Sequence, residues 1–287
     1  MMNEINSVRP SARPSPIAGT WYSANPGQLR RTVNAYMDQA ANPELPGDVI
    51  ALVAPHAGYI YSGSVAGHAF KTVKGHSYDC VCVISPMHQY YPQPLLTSAH
   101  SAYETPLGEI PMATAELARI NERLEEKIGQ GLTPVPHDQE HSLEIELPFL
   151  QCALDGAFTL IPIMMRDQSR QVAKALGEVL AEVLNPDTCL MVASSDLSHF
   201  YSETEANRLD NQVLGALENF SPDRLFDLKD HGKGQACGLA PIASVLWAAA
   251  IHGATDVTLL KYDTSASTTG DRSSVVGYAA AAITRPD

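Results

Sequence analysis

The sequence contains no apolar run near the roughly 20 residues that a membrane-spanning helix needs, and it is poor in positive charge. Lys and Arg number 19 against 32 Asp and Glu, which gives a formal net charge of −13. Nucleic acids and anionic membranes attract basic surfaces, so this composition argues against both as partners. The N-terminal residues also lack an apolar stretch resembling a signal peptide, and we therefore expect a cytoplasmic protein.

Cysteine is scarce, and its pattern argues against a disulfide framework. The five cysteines are odd in number and form no Cys-x-x-Cys pair, which is typical of reduced thiols. Cys80, Cys82 and Cys189 lie in or at the start of Val-, Ile- and Leu-containing runs. We interpret these three thiols as small buried hydrophobic residues.

Common nucleotide-binding and hydrolase motifs are also missing. Gly58 and Gly63 have the spacing of a phosphate-binding loop, but a Ser-Val pair follows where Lys and Ser or Thr are needed. No Gly-x-Gly-x-x-Gly fingerprint occurs, and no Gly-x-Ser-x-Gly elbow surrounds the serines at 194–195. The sequence therefore does not indicate nucleotide binding by these routes.

What is present is an alternation of strands and helices along the whole chain. With 45 % hydrophobic residues among 287, the chain can bury a full core. No internal repeat or break is visible, so we predict one α/β domain over 1–287, with 1–16 as an extended or flexible leader. Predicted strands cover 49–54, 79–85, 158–165, 189–194, 257–262 and 274–283, and predicted helices cover 26–40, 58–73, 113–128, 142–154, 169–184, 202–217 and 240–251.

Three of the predicted strands are followed directly by a residue that can bind a metal or move a proton. His56 follows the first strand, His88 the second, and Asp196 the strand that begins near 189. Ligands of open α/β sheets bind beyond the carboxyl ends of the strands, so these positions indicate a site. For a single histidine the alternative is a side chain satisfied by a backbone carbonyl. Two histidines at equivalent strand ends make that alternative weaker.

Asp196 and His199 lie three positions apart, which on a helical turn would put both on one side. They could orient a metal ligand, position a substrate or serve as acid and base. Alternatively, Asp196 or one of the preceding serines is the N-cap of the next helix, with His199 on its surface.

The segment 140–146 combines three acids and a histidine around a predicted helix start. Glu140 and Glu144 are one turn apart, which would give them a common face near His141. The segment does not match the His-Glu-x-x-His pattern of metalloproteases. A catalytic cluster and a solvated acidic helix start both remain open.

Cys237 lies between glycines at 234 and 238, just before an Ala-rich apolar helix. A thiol at a helix N-terminus has a lowered pKa, which favours a nucleophile or a soft metal ligand. An inert thiol in a tight turn is the alternative.

Taken together, the motifs resemble the Memo family, often described in bacteria as the second component of the AmmeMemoRadiSam system. This resemblance implies a fold similar to the class III (LigB-like) extradiol dioxygenases, with three layers and a central, mainly parallel sheet between helices. It implies a metal bound by His56, His88 and Cys237. The dioxygenases have a carboxylate as third ligand where this chain offers a thiol. The segments that carry the resemblance are 18–22, 54–59, 85–88, 103–108, 140–144, 194–199 and 237–238.

The resemblance predicts a metal-dependent redox protein, a nonhaem and dioxygenase-like oxidoreductase of unknown substrate. Fe(II) is the first choice of metal, with copper or zinc as alternatives. His199 would donate or accept a proton, while Asp196 and His141 would orient partners. A functional link to a radical SAM protein and to a protein of the AMMECR1 type is a further expectation.

Two other functions are also consistent with the sequence. The first is a non-catalytic module that binds a small molecule or peptide in the same cleft, with Trp21 and Tyr59 as aromatic walls and Glu144 beside them. The second is a zinc or serine hydrolase using Ser195 with His199 and Asp196, against which the missing nucleophile elbow counts.

Overall fold

The computed structural model describes residues 12–286. The helices are α1 Pro26–Gln39, α2 Tyr59–Lys71, α3 Thr114–Ile128, α4 Leu147–Ala153, α5 Arg170–Val183, α6 Glu203–Glu218, α7 Pro222–Asp230, α8 Leu239–Ile251 and α9 Ala266–Thr269. The strands are β1 Asp48–Ala54, β2 Cys80–Pro86, β3 Leu95–Ser98, β4 Ala102–Thr105, β5 Gly108–Pro111, β6 Thr133–Val135, β7 Thr159–Met165, β8 Cys189–Ser194, β9 His199–Tyr201, β10 Asp256–Thr264 and β11 Val275–Arg285.

The large sheet has the strand order β10-β11-β1-β8-β2-β7-β3-β6, and β9 pairs with β11. The four central strands, β1, β8, β2 and β7, are mutually parallel, whereas β11 and β10 add an antiparallel edge. Strands β2 and β8 are buried throughout, which explains their nearly continuous apolar sequences. A mainly parallel sheet was predicted, and the structure confirms it.

Helices cover both faces of this sheet. On one face, α1, α2 and α4 contribute apolar side chains such as Leu29, Phe70 and Phe149 to one core. On the other face, α5 and α8 contribute residues such as Leu176 and Leu246 to a second core. Helix α8 is apolar on nearly all sides because it is almost wholly buried. The predicted three-layer α/β architecture is therefore confirmed.

The chain departs from the predicted elements in a few places. The predicted helix over 142–154 is a 3₁₀ turn, Glu144–Glu146, followed by α4, and α7, β9 and the β4–β5 hairpin were not foreseen. The predicted helical turn at 196–199 is wrong, since His199 opens β9. The N-cap of α6 is Ser202, whose side chain accepts a hydrogen bond from the backbone N–H of Glu205.

Of the predicted leader, 1–11 lie outside the described residues. In the part that follows, Arg13 is almost fully buried. Its Nε lies 2.6 Å from Asp138 Oδ2, and its Nη2 donates to the Glu140 carbonyl at 2.7 Å. This arginine ties the start of the described chain to the 138–144 segment. Within the described residues, no helix combines the length and apolarity needed to cross a bilayer.

Candidate metal centre

The carboxyl ends of three neighbouring parallel strands form the floor of the site. His56 follows β1, Asp196 follows β8 and His88 follows β2, and these strands are adjacent in the order β1-β8-β2. The register pairs Ala54 of β1 with Ser194 of β8, so the first two segments leave the sheet at the same level. The predicted convergence of the three motifs is therefore present.

Cys237 reaches the same place from the connection between α7 and α8. Its backbone N–H donates to the Asp196 carbonyl at 3.1 Å, and the Asp196 N–H lies 3.2 Å from Cys237 Sγ. Gly238 permits this close approach, because a Cβ there would lie 2.3 Å from the Ser194 carbonyl oxygen. The glycine after Cys237 is thus required by contact with β8.

One ligand atom each from His56, His88 and Cys237 lies within 4.8 Å of the other two. The shortest separation is 3.1 Å, between Cys237 Sγ and His56 Nε2. Two imidazole nitrogens and a sulfur are donors that bind iron, copper or zinc, and they leave further coordination positions for water or a ligand. The residues present therefore fit the metal that the sequence resemblance implies.

His88 is oriented by Glu140, a partner that sequence reasoning did not assign to it. The Nδ1 of His88 lies 2.9 Å from Glu140 Oε1, and its backbone N–H donates to Oε2 at 2.6 Å. With Nδ1 donating to the carboxylate, Nε2 is the nitrogen left for a metal. Burial opposes the charged form of His88, but the hydrogen bond and charge of Glu140 raise its pKa overall.

Glu140 itself is buried and stays ionised. Burial alone would raise its pKa, yet the hydrogen bond and charge of His88, the charge of His141 and the Ser142 N–H hold it well below the usual range. The backbone N–H groups of His141 and Ser142 both donate to Oε1 at 3.0 Å. The acids of 140–146 are all buried, so a solvated acidic helix start is wrong.

His56 is buried and electrically neutral. Burial, reinforced by the neighbouring histidines, lowers its pKa well below the ordinary value. Its backbone N–H donates to Asp196 Oδ1 at 2.8 Å. Burial raises the pKa of Asp196 to about 7, although the N–H groups of His56 and Ala57 stabilise the carboxylate. Asp196 can therefore gain or lose a proton near neutral pH.

The thiol of Cys237 does not have the lowered pKa that its position before a helix predicts. Burial, followed by the negative charge of Asp196, raises its pKa well above the ordinary value. The helix N-terminus is outweighed because the sulfur is removed from water beside an acid. A thiolate there requires a cation to replace the proton.

A cavity of about 750 Å³ opens above these residues. His56, His88, His141, Asp196 and His199 line it, whereas Cys237 lines a second cavity of about 770 Å³ behind them. Apolar and aromatic side chains form about half of the remaining wall, and polar side chains, one of them the acid Asp271, form much of the rest. The apolar and aromatic members are Trp21, Ile60, Tyr61, Phe200, Val276 and Tyr278. None of the described residues that line this cavity is Lys or Arg.

Two of the predicted cleft residues lie elsewhere. Tyr59 is buried, and its hydroxyl donates to the Ile145 carbonyl at 2.9 Å. Glu144 is fully buried and forms an ion pair with Arg13 at 2.5 Å. Glu144 and Glu140 therefore serve different partners instead of sharing a face near His141. Trp21 does line the cavity, with its ring 4.3 Å from that of His141.

His199 and His141 each present one free ring nitrogen. Nδ1 of His199 lies 2.9 Å from the Leu197 carbonyl, which can only accept a hydrogen bond. Nδ1 of His141 lies 3.2 Å from Glu140 Oε1. Burial lowers the pKa of both rings, to about 4 for His141. Both are therefore neutral near pH 7, and their Nε2 atoms can accept a proton or hydrogen bond.

Phe200 has a backbone conformation that is unusual for a residue other than glycine. Its φ of 66° lies in the left-handed region, and its side chain is 77 % exposed at the cavity wall. Phe220 also has a positive φ, of 50°, but it follows α6 and packs against the core. The strained backbone at Phe220 thus accompanies a partly buried ring packed on the core, whereas that at Phe200 places an aromatic ring beside the cavity.

The serine hydrolase alternative finds no support in these contacts. Ser195 Oγ donates to the Asp196 carbonyl at 2.8 Å and accepts from the Gly238 N–H at 2.9 Å. These two partners are backbone groups, the third contact of Ser195 Oγ is Cys237 Sγ at 4.0 Å, and His199 bonds to the Leu197 carbonyl. Ser195 is thus engaged in holding the Cys237 segment against β8.

The fold and the site together define an α/β protein with a candidate metal centre at the carboxyl edge of a mainly parallel sheet. The family model described as Memo-like protein matches residues 13–282. This chain belongs to the Memo family.

Relatives in archaea and bacteria support the same assignment. A MEMO1 family protein of Nitrosopumilus maritimus is 29 % identical over 271 residues, covering 92 % of this chain and 96 % of that protein. One of Methanosarcina mazei is 34 % identical over 239 residues, covering 81 % and 85 % respectively. One of Aquifex aeolicus is 34 % identical over 269 residues, covering 91 % and 95 %.

Proposed function

We propose that this chain is a metal-dependent redox protein that acts on a small ligand in the cavity, with Fe(II) as the first choice of metal and copper as the second. The observation that carries the proposal is the meeting of His56, His88 and Cys237, whose ligand atoms lie within 4.8 Å of one another. They come from three distant chain segments, so local packing does not account for their convergence. Zinc remains the alternative that would make the site non-redox.

The donor set can hold a metal that changes oxidation state. Bound iron or copper would supply one-electron chemistry and an open coordination position, and a thiolate donor would lower its potential. His56 and His88 would bind through Nε2, since Nδ1 of each ring faces a hydrogen-bonding partner. Glu140 would hold the His88 ring in place, as carboxylates commonly do for metal-bound histidines.

Proton transfer would fall to residues of the cavity wall. His199 presents Nε2, because its Nδ1 bonds to a backbone carbonyl. Asp196, with a pKa of about 7, can hold or release a proton beside His56 and Cys237. We assign His199 as the group that exchanges a proton with the ligand and Asp196 and His141 as groups that orient it.

The cavity wall indicates the kind of ligand. Trp21, Tyr61 and Phe200 provide aromatic surface, and no Lys or Arg is present among the described lining residues. A neutral ligand with a ring or apolar body is therefore favoured over a carboxylate or phosphate.

Metal content after anaerobic purification tests the proposal. Wild-type protein is expected to hold about one iron per chain after loading with Fe(II), and His56→Ala close to none. His76→Ala is the matched control, because His76 is exposed beside the start of β1, at the opposite edge of the sheet. Equal iron in wild type and His56→Ala would end the proposal.

Ligand binding without turnover is the second candidate function. It is favoured by the exposed apolar side chains at the cavity, of which Ile60 is 67 % and Phe200 77 % exposed. Oxygen consumption by the iron-loaded protein with a reductant separates the two functions. A binding module would consume no more oxygen than the His56→Ala variant.

A further inference from the structure

Glu146 is a buried acid behind the candidate metal centre to which the proposed function gives no role. Its side chain is fully buried at the end of the 3₁₀ turn Glu144–Glu146. Its Oε1 lies 2.7 Å from Ser194 Oγ, and its Oε2 has no hydrogen-bond partner among residues 12–286. An ionised carboxylate with one oxygen unpartnered in the core would be costly.

Ser194, the last residue of β8, connects this acid to His56. Its Oγ has three neighbours: the Ser142 carbonyl at 2.5 Å, Glu146 Oε1 at 2.7 Å and His56 Nδ1 at 2.9 Å. A serine hydroxyl has one proton to donate and two lone pairs to accept with. With three neighbours, the Ser194 hydroxyl must donate one of these hydrogen bonds and accept the other two.

The Ser142 carbonyl fixes those directions because it can only accept. Ser194 must give its single proton to that carbonyl, or two oxygens would face each other unprotonated at 2.5 Å. The two remaining contacts must then be donated to Ser194. One donor is the carboxyl proton of Glu146, and the other is the Nδ1–H of His56.

We propose that Glu146 is a positioning residue that, as a neutral carboxylic acid, donates to Ser194 and, together with the Ser142 carbonyl, leaves Ser194 as the acceptor that holds His56 in its Nδ1–H tautomer. In this tautomer Nε2 carries a lone pair and faces Cys237 Sγ at 3.1 Å. The opposite tautomer would present an N–H where a metal is to bind. The inference rests on the proposed function in one respect, namely that His56 Nε2 is a metal ligand.

The surroundings of Glu146 agree with a neutral acid. Burial raises its pKa well above the ordinary value, and the nearby Asp196 raises it further. The hydrogen bond from Ser194 would lower it if Ser194 donated, but that proton is committed to Ser142.

Nitrogen NMR of the metal-free protein tests the tautomer without reference to metal binding. Long-range ¹⁵N–¹H spectra of the histidine rings, with His56 assigned by its loss in His56→Ala, are expected to show protonated Nδ1 and bare Nε2. Glu146→Gln should keep this pattern, because the Gln amide also donates to Ser194. Ser194→Ala removes the acceptor of the Nδ1–H and should give a tautomer mixture, whereas Glu146→Ala leaves the Ser142 carbonyl to fix the Ser194 proton and should shift the tautomer less. A His56 in the Nε2–H form in wild type would overturn the proposal.

Metal affinity is the second readout. Loss of an outer hydrogen-bond partner typically weakens metal binding about 10–100-fold, and we expect this range for Zn²⁺ binding to Glu146→Ala. Glu146→Gln should stay within about threefold of wild type. Ser244→Ala is the matched control for Ser194→Ala, since Ser244 is equally buried but bonds to Ala173 and Ala240. A Glu146→Gln variant as weak as Glu146→Ala would show that an ionised carboxylate is needed and would refute the proposal.

Infrared spectroscopy covers the case in which Glu146→Ala does not fold. The wild-type minus Glu146→Gln difference spectrum should contain the C=O stretch of a protonated carboxylic acid at pH 7. A carboxylate band in its place would contradict the neutral acid. If wild type binds no Zn²⁺ or Fe(II) at all, the proposed function fails, while the NMR and infrared results still decide on Glu146.

Discussion

His56 Nε2 lies 3.1 Å from Cys237 Sγ, although 181 positions of the chain separate the two residues. The approach is built from both sides: His56 follows a central strand, and Cys237 is held against the neighbouring strand end by Asp196. Burial raises the pKa of the Cys237 thiol, so a thiolate forms there only when a cation replaces its proton. The contact therefore makes Cys237 the most direct target for testing metal binding.

Replacing Cys237 with Ser should remove the thiolate from the metal centre. Wild-type protein loaded with Co²⁺ is expected to show a sulfur-to-cobalt charge-transfer band in the near ultraviolet, and Cys237→Ser to lack it. The affinity should fall by more than the roughly 10–100-fold typical of a lost outer partner, because a direct ligand is removed. Cys152→Ala should keep the band, since Cys152 lies on α4 and packs on the core that α1, α2 and α4 form on one face of the sheet. A band that persists in Cys237→Ser would exclude the thiol as a ligand.

Gly238→Ala tests whether the close passage of the Cys237 segment against β8 matters. The new Cβ would lie 2.3 Å from the Ser194 carbonyl oxygen and 2.7 Å from Ser195 Cβ, so the backbone must shift and move Cys237. We expect Co²⁺ affinity to fall about tenfold or more, with a loss of about 1–3 kcal/mol in the free energy of unfolding.

Gly215→Ala is the control for this substitution. A Cβ at Gly215 meets no atom of the described part of the chain within 4 Å, and the residue lies inside α6. Alanine should therefore stabilise the protein by about 0.5–1 kcal/mol and leave Co²⁺ binding unchanged. Equal Co²⁺ affinity in Gly238→Ala and Gly215→Ala would show that the packing at β8 does not position the sulfur.

The strands and the positions of their polar ends could be predicted because parallel strands buried on both faces are apolar throughout. That pattern located His56, His88 and Asp196 at one edge of the sheet. The prediction of a helical turn at 196–199 was wrong because His199 belongs to β9, which pairs with β11. The spacing of Asp196 and His199 does not reveal this contact, since β11 lies far along the chain.

The partners of the acids in 140–146 could not be read from the sequence. Glu140 bonds to His88, Glu144 pairs with Arg13, and Glu146 bonds to Ser194. Each partner lies in a different segment, and local spacing says nothing about which of them tertiary packing will supply. The signal that was available is the concentration of acids before an apolar helix, which marks the segment as unusual without assigning its contacts.

The pH dependence of stability provides an independent test of the protonation state of Glu146. Its pKa is raised in the folded protein, so its contribution is complete below the ordinary value near 4.5 and is lost as the pH rises towards the folded-state pKa. The free energy of unfolding of wild type should fall relative to Glu146→Gln by up to about 1.4 kcal/mol per pH unit between pH 5 and 8.

Urea unfolding at several pH values measures this difference directly. Glu205→Gln serves as control: Glu205 is partly exposed and its pKa is lowered by the hydrogen bond from Arg208, so its contribution is constant above pH 5. The Glu205→Gln difference from wild type should therefore be flat over the same range. A flat difference for Glu146→Gln as well would mean that folding does not raise the pKa of this carboxyl group.

Two substitutions of Phe200 separate the effect of its backbone strain on stability from the effect of its ring on ligand binding. Its φ of 66° disfavours every residue with a Cβ, so Phe200→Gly should be about 1 kcal/mol more stable to urea than Phe200→Ala. Both variants remove the ring from the cavity wall and should weaken binding of phenol, used as a neutral aromatic probe, to the same extent. Phenol binding is measured by saturation-transfer NMR, with benzoate as the anionic counterpart that a cavity without lining cations should disfavour.

Tyr90→Ala is the matched control for the lost ring. Tyr90 is 80 % exposed, and its ring is contacted by Arg166 at 5.7 Å outside the cavity. Its removal should leave phenol binding unchanged. If Phe200→Gly and Phe200→Ala bind phenol as wild type does, the strained conformation does not serve ligand contact. If benzoate binds as tightly as phenol, the preference for a neutral ligand is wrong, because the absence of lining cations would then not govern what the cavity accepts.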